Sequence, residues 1–170
     1  MKINNNHILF LISFLFFGGN IHSQNNTVVD SFKSELSLHL ERDTTRVNLL
    51  YQVAFLSFQR DLDTTKLYLK KTEDLSNDLN YIKGKGKVLY LKGILESRKS
   101  NYSESLILFK RSLKYFESIQ NLGGISEIYN AFGKTHFIQS EYDKALENFK
   151  KASDIFEELG SEKELINNLI

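Results

Sequence analysis

Two short segments combine glycine with lysine, a pairing that can bind phosphate. Gly133-Lys134-Thr135 resembles the end of the glycine-rich loop that holds nucleotide phosphates. That loop also needs a glycine five residues before its second glycine and a preceding strand, yet Ile128 stands there, inside a helical pattern. Gly84-Lys85-Gly86-Lys87 lacks the spacing altogether. We therefore expect no nucleotide site and no cofactor.

Side chains that could bind a metal or catalyse a reaction are equally sparse. The chain has no cysteine, and its histidines do not form a His-x-x-x-His pair. Its serines and acidic residues fall at predicted helix starts or on predicted solvent faces, without a nucleophile–base constellation. We expect no metal site, no catalytic residues and no enzymatic activity. The four histidines are His7, His22, His39 and His136.

Composition narrows the class of protein. The 22 basic and 21 acidic residues give a formal net charge of +1, without basic clusters, which argues against nucleic-acid binding. Proline is absent, and alternation of apolar and polar residues at strand spacing is missing, so the sequence favours an all-α fold.

The first 23 residues have the pattern of a secretory signal peptide. Lys2 precedes an apolar run from Ile8 to Phe17, and small residues lead to a cleavage site near Ser23-Gln24. The run is too short to cross a bilayer as a helix of about 20 residues. We expect an exported protein, periplasmic or secreted from a bacterium, that is soluble after cleavage and keeps no stable membrane span.

A forty-residue repeat dominates the rest of the chain. Gly133, Tyr142, Phe149 and Phe156 recur forty residues earlier as Gly93, Tyr102, Phe109 and Phe116. A period of this size is typical of a solenoid, in which each unit buries its apolar face on the next. Glycine and other small residues let helices approach, and phenylalanine fills the space between them. The expected repeat-packing residues are Gly93, Tyr102, Ser105, Phe109, Ser112, Phe116, Gly133, Tyr142, Ala145, Phe149, Ala152 and Phe156.

The period divides the chain after the signal peptide. A polar tail and an amphipathic capping helix over Val28 to Arg42, with Val29, Phe32, Leu36 and Leu40 on its apolar face, are expected at 24–42. Helical hairpins follow at 43–82, 83–122 and 123–160, with Asp43, Asp63 and Ser140 as helix N-caps. Gly160 is expected to end a helix and Ser161 with Glu164 to start another, giving a partial fourth repeat at 161–170.

The spacing of Gly133, Tyr142, Ala145, Phe149 and Ala152 resembles the tetratricopeptide repeat. The resemblance extends from about Asp43 to Ile170. It implies a right-handed α-solenoid of antiparallel helical hairpins that lacks catalysis and binds a protein or peptide. Repeat two departs from the family pattern at Lys92 and Glu96, where apolar residues are usual.

The resemblance also implies a binding groove lined by the first helix of each repeat. Tyr90 and Phe137 are the expected aromatic anchors, and Asn130 is expected to contact a peptide backbone. Repeat one would add Leu50, Ala54 and Phe58. The groove-facing residues implied for repeats two and three are Lys87, Tyr90, Ile94, Arg98, Glu127, Asn130, Lys134 and Phe137.

Two functions stay open on the sequence. The first is an exported scaffold that binds a protein or peptide. The second is the extracytoplasmic sensor part of a longer bacterial signalling protein, a histidine kinase or DNA-binding regulator, with its output domain beyond Ile170. The apolar residues Leu165, Ile166, Leu169 and Ile170 leave the last repeat without a polar cap, which favours a longer chain or self-association through that repeat.

Overall fold

The computed structural model describes residues 28–167, with side chains from 28 to 160, and this part of the chain is all α-helical. Consecutive helices from α2 onward are joined by three or four residues and pack against each other. This confirms the predicted solenoid of helical hairpins. The predicted signal peptide lies outside the described residues. The helices are α1 (28–38), α2 (Thr44–Ser57), α3 (Leu62–Asp78), α4 (Ile82–Arg98), α5 (Tyr102–Ser118), α6 (Leu122–Ile138) and α7 (Tyr142–Asn167).

We call α2–α3, α4–α5 and α6–α7 hairpins one, two and three. Helices α3 to α6 are each 17 residues long, and the turns after them share one geometry. Asn80, Ser100, Gln120 and Ser140 adopt positive φ, and the next amide donates back to the carbonyl five residues earlier, as from Asn121 N to Phe116 O at 2.9 Å. This is the Schellman helix ending, which usually employs glycine. The geometric period is therefore one helix every twenty residues.

Replacing Gln120 by glycine should stabilise the protein. Gln120 has φ of 52°, where a side chain is strained and glycine is not, so Gln120→Gly is expected to raise the free energy of unfolding by about 0.5–1 kcal/mol. The matched control is Gln139→Gly, because Gln139 has an ordinary φ of −81° and should lose stability. Urea denaturation measures both; a loss of stability in both variants would contradict the strain argument.

Three predicted helix boundaries are wrong. The N-cap of α3 is Asp61, whose carboxylate accepts from Thr64 N at 2.8 Å, and not Asp63, which lies inside the first turn. Ser140 is the left-handed residue before α7, so Glu141 takes the position before the helix. Gly160 does not end α7, which continues through Ser161 and Glu164 to Asn167. Glycine in a helix costs only about 1 kcal/mol, which does not by itself stop the helix.

The N-terminal helix covers one end of hairpin one. Leu36 is buried with Val47 and Leu50 in one cluster, and Phe32 packs against it. The helix ends at residue 38 instead of Arg42, and Leu40, predicted on the buried face, is 77% exposed. The chain turns here because Asp43 caps α2, accepting from Arg46 N at 2.9 Å, while the Arg46 guanidinium donates to carbonyls of α1 and the turn.

Each of the last two hairpins is closed by a phenylalanine ring lying on a glycine. A Cβ added to Gly93 would stand 2.5 Å from the ring of Phe109, and one added to Gly133 would stand 2.6 Å from the ring of Phe149. Any larger residue would force the helices apart. Among the other expected packing residues, Ser105, Ser112, Phe116, Ala145 and Ala152 are buried and Tyr102 is half-buried.

Two expected packing residues are exposed instead. Phe116 is 1% exposed because α6 lies on it, with Gly124 against its ring, whereas its counterpart Phe156 is 58% exposed. Tyr142 is also exposed and meets the edge of the Phe137 ring at 5.6 Å between centroids. Within the described side chains no helix covers this face of α7, so the forty-residue equivalence preserves residue type without preserving burial.

Candidate functional site

The first helices of the hairpins form one continuous inner face. Helix α2 contacts α4, and α4 contacts α6, whereas α3, α5 and α7 make no such contacts with one another. The array therefore bends towards α2, α4 and α6. We call the concave surface of these three helices the inner groove. The groove residues predicted for repeats two and three all lie on α4 and α6, the first helices of hairpins two and three.

Lys87 links hairpins two and one across this groove. Its ammonium donates to Asn48 Oδ1 at 3.0 Å and lies 5.0 Å from the centre of the Tyr51 ring, in a cation–π contact. The side chain is half-buried, and desolvation lowers its pKa, with repulsion from Lys83 adding to the effect and attraction to Glu127 opposing it. Lys87 is therefore a desolvated cation held in place by an amide and an aromatic ring.

Glu127 brings α6 into the same cluster. Loss of surrounding water raises the pKa of its carboxyl group, and Lys87 and Lys83 partly offset this effect. Burial, together with the charge of Glu127, raises the pKa of Tyr90 to about 12. Burial also raises the pKa of Tyr51 well above its usual value, with smaller electrostatic contributions from Tyr90 and Glu127. Five ionisable side chains from three helices therefore influence each other: Tyr51, Lys83, Lys87, Tyr90 and Glu127.

The other end of the groove is aromatic. Tyr51 stacks on Phe55 at 5.7 Å between centroids, and Phe55 lies 5.7 Å from Phe58. The Arg98 guanidinium covers the Phe58 ring at 5.6 Å and donates to the Phe58 carbonyl. Arg98 thus ties the ends of α2 and α4 together while its charge stays exposed.

The structure brings some predicted groove residues together and separates others. Lys87, Tyr90 and Glu127 share the cluster, but the ring contact of Phe137 is with Tyr142 at the far end of α6. Ile94 packs against two core clusters, that of Tyr51 and Leu91 and that of Phe109 and Ile128, so it contributes to packing between the hairpins. Asn130 is half-buried and Lys134 is exposed, and neither makes a side-chain contact that assigns it to the cluster.

Two of the groove residues predicted for repeat one are wrong. Leu50 and Ala54, predicted in the groove, are 4% and 0% exposed and belong to the core. Helix α2 has only 14 residues, against 17 for α4, so the forty-residue rule does not carry over to all of its positions. The missed residues are Asn48 and Phe55, which line the groove, and Tyr51, a core residue whose ring lies 5.0 Å from the Lys87 ammonium. The signal that could have revealed them is the tight spacing of aromatic residues along α2.

The departures of Lys92 and Glu96 from the family pattern have separate structural roles. Lys92 pairs with Glu73 at 2.6 Å, whereas its counterpart Phe132 packs in the core beside Phe109. A cleft of about 420 Å³ consequently lies between α3 and α5, floored by leucines. Glu96 holds the α4–α5 turn, accepting from Lys99 and from Asn101.

Neither a metal site nor a membrane-spanning helix is found in the described part of the chain. Residues 28–167 contain no group of three histidine or acidic side chains placed to hold a metal ion. None of the helices described there has both the length and the apolar character needed to cross a membrane.

The fold and the inner groove define an α-helical repeat protein. The family model of the tetratricopeptide repeat matches residues 85–162, which span most of hairpins two and three. The match supports a protein of the tetratricopeptide repeat family, with hairpins two and three as its matched repeats. Repeats of this family are typically non-catalytic scaffolds that bind proteins or peptides. No curated protein matches the chain.

Ionisation of the Glu127 carboxyl group is expected to lower the free energy of unfolding. Because its folded-state pKa is raised above the usual 4.5, stability is lost as pH rises through the interval between the two values. Glu127→Gln is therefore expected to raise the urea midpoint at pH 7, and the gain should shrink towards pH 4, where the carboxyl group becomes protonated.

Glu147 supplies a control of opposite sign. Its pKa is lowered by its hydrogen bond to Lys151, so Glu147→Gln should not stabilise the protein at pH 7. Denaturation of both variants at the two pH values tests the assignment. An equal gain for Glu127→Gln at both pH values would contradict it.

Proposed function

We propose that this protein is a non-catalytic scaffold that binds a peptide or an extended protein segment along the inner groove. The observation that carries the proposal is the cluster of Tyr51, Lys87, Tyr90 and Glu127, which joins the first helices of three successive hairpins. Stacking of hairpins does not require desolvated charges on the concave side. A cation and an acid kept there beside aromatic rings are suited to a ligand with both polar and apolar groups.

The contacts assign different roles to the groove residues. The rings of Phe55 and Phe58, together with Tyr90, offer apolar anchors of the kind that dominates binding energy at interfaces. Lys87 is held by Asn48 and Tyr51, so little side-chain freedom is lost when a partner binds. An extended segment following the groove would meet α2, α4 and α6 in turn.

A library of random twelve-residue peptides displayed on phage tests this function. The full chain is expected to enrich peptides that bind it, and binding should fall at least about tenfold in Tyr90→Ala, because aromatic anchors at interfaces each contribute more than 1 kcal/mol. The matched control is Tyr115→Ala, since Tyr115 is a partly buried tyrosine of α5, away from the groove. Peptides that bind Tyr90→Ala and Tyr115→Ala with the same affinity as the parent protein would contradict a groove site.

The proposal includes export through residues 1–23, as the sequence pattern favours, followed by work in the periplasm or outside the cell. A second candidate is the sensor part of a longer bacterial signalling protein. It is supported by two exposed apolar side chains of α7, Leu146 at 71% and Phe156 at 58% exposure. Their counterparts in hairpin two, Leu106 and Phe116, are covered by α6. A further helix packed on α7 would cover Leu146 and Phe156, supplied by a longer chain or by a second copy.

Intact mass of the native protein, measured in soluble and membrane fractions, separates these candidates. A soluble species beginning at Gln24 and ending at Ile170 is expected for the free exported scaffold, and its mass under native conditions shows whether it self-associates. A much larger species in the membrane fraction would contradict the free scaffold and favour the sensor.

A further inference from the structure

Lys83 and Lys87 have no acidic partner, unlike five other lysines of the described region. Lys70, Lys92, Lys99, Lys144 and Lys151 each form an ion pair at 2.6–2.9 Å. Between residues 28 and 160, neither Lys83 nor Lys87 forms one, although both are half-buried. A half-buried ammonium group without a carboxylate is an unfavourable arrangement that an added anion would relieve.

Lys87 lies in the inner groove, and the i,i+4 spacing puts Lys83 on the same face of α4. They lie one turn apart on α4, and their like charges repel, as the lowered pKa of Lys87 reflects. Lys87 uses one of its three N–H donors on Asn48 and stands over the Tyr51 ring, which leaves donors for a ligand. A carboxylate set between Lys83 and Lys87 would accept from both and cancel their repulsion.

The groove as a whole is cationic although the chain is nearly neutral. Arg98 and Lys134 add positive charge at the groove positions of α4 and α6, and Glu127 is the acid that couples to the lysine pair. The net charge of the entire chain is only +1, so this positive potential comes from placement. Charge complementarity therefore favours an acidic ligand.

We propose that the inner groove binds an acidic peptide segment, with an aspartate or glutamate carboxylate between Lys83 and Lys87 and a neighbouring apolar side chain against Tyr90. The inference rests on the proposed function and names the chemistry of its partner. Aromatic rings beside the lysines favour a peptide over a simple anion. The carboxylate of Glu127 repels densely charged polyanions and so disfavours a nucleic acid.

The peptides selected on the full chain provide the probe. Aspartate and glutamate are expected to be enriched in them, and changing every acid of the strongest binder to its amide should weaken binding about tenfold or more, measured by fluorescence anisotropy. The double variant Lys83→Gln/Lys87→Gln should weaken binding of the acidic peptide by the same factor and leave binding of the amide peptide unchanged. Glu127→Gln should strengthen binding of the acidic peptide several-fold, because it removes a repulsive charge.

Lys85→Gln is the matched control, because Lys85 lies on the same helix but bonds to Asn80 and takes no part in the cluster. It should bind the acidic peptide like the parent protein. Circular dichroism and urea midpoints show that the variants remain folded.

The outcomes separate this inference from the function on which it rests. Peptides that need Tyr90 but show no acidic enrichment, or no response to the double lysine variant, would overturn the acidic-ligand inference and leave the groove function standing. Absence of any Tyr90-dependent peptide would overturn both. Equal competition by a short DNA duplex would identify a general polyanion site and would also overturn the inference.

Discussion

The close approach of paired helices is the constraint on which this structure depends. The rings of Phe109 and Phe149 occupy the space that a side chain at Gly93 or Gly133 would need, so the two helices of a hairpin approach closely. Phe116 packs on Gly86 within hairpin two and on Gly124 of α6, so it also joins hairpins two and three. The hairpins meet so that the first helices touch each other and the second helices do not, and the inner groove lies along these first helices.

The repeats conserve interactions while exchanging the residues that make them. Ser112 of α5 donates to the carbonyl of Gly86 in hairpin two, and Ser126 of α6 donates to the carbonyl of Ala152 in hairpin three, so the serine changes helix while the bond persists. The turns behave similarly: Asn101 donates to Glu96 at 2.8 Å, and His136 bonds to Glu141 at 2.5 Å. A buried donor needs a partner, but either helix can supply it.

The sequence predicts what depends on residue type and period, and misses what depends on backbone state or distant neighbours. Gly93 with Phe109 revealed the hairpin, because glycine inside a helix needs a packing reason. The helix endings at Ser100 and Gln120 contain no glycine, so nothing in the sequence indicates their left-handed conformation. Gly160 indicates a helix ending where the helix in fact continues. Asn48 and Tyr51 were missed because α2 is shorter than α4, so the forty-residue period does not carry over to all of its positions.

Stability and binding make opposite demands on the inner groove. Partial burial of Lys87 disfavours its charged form, as its lowered pKa indicates, and a neutral residue would remove this cost. The fold gives Lys87 an amide and an aromatic ring as partners, but no ion pair among the described side chains. A cation left without a carboxylate, on the surface that the first helices share, is explained by an acidic partner that pairs with it. The same reasoning explains why Lys92, also a charged residue on α4, is paired internally with Glu73: it faces the outer cleft, where the fold itself supplies the acid.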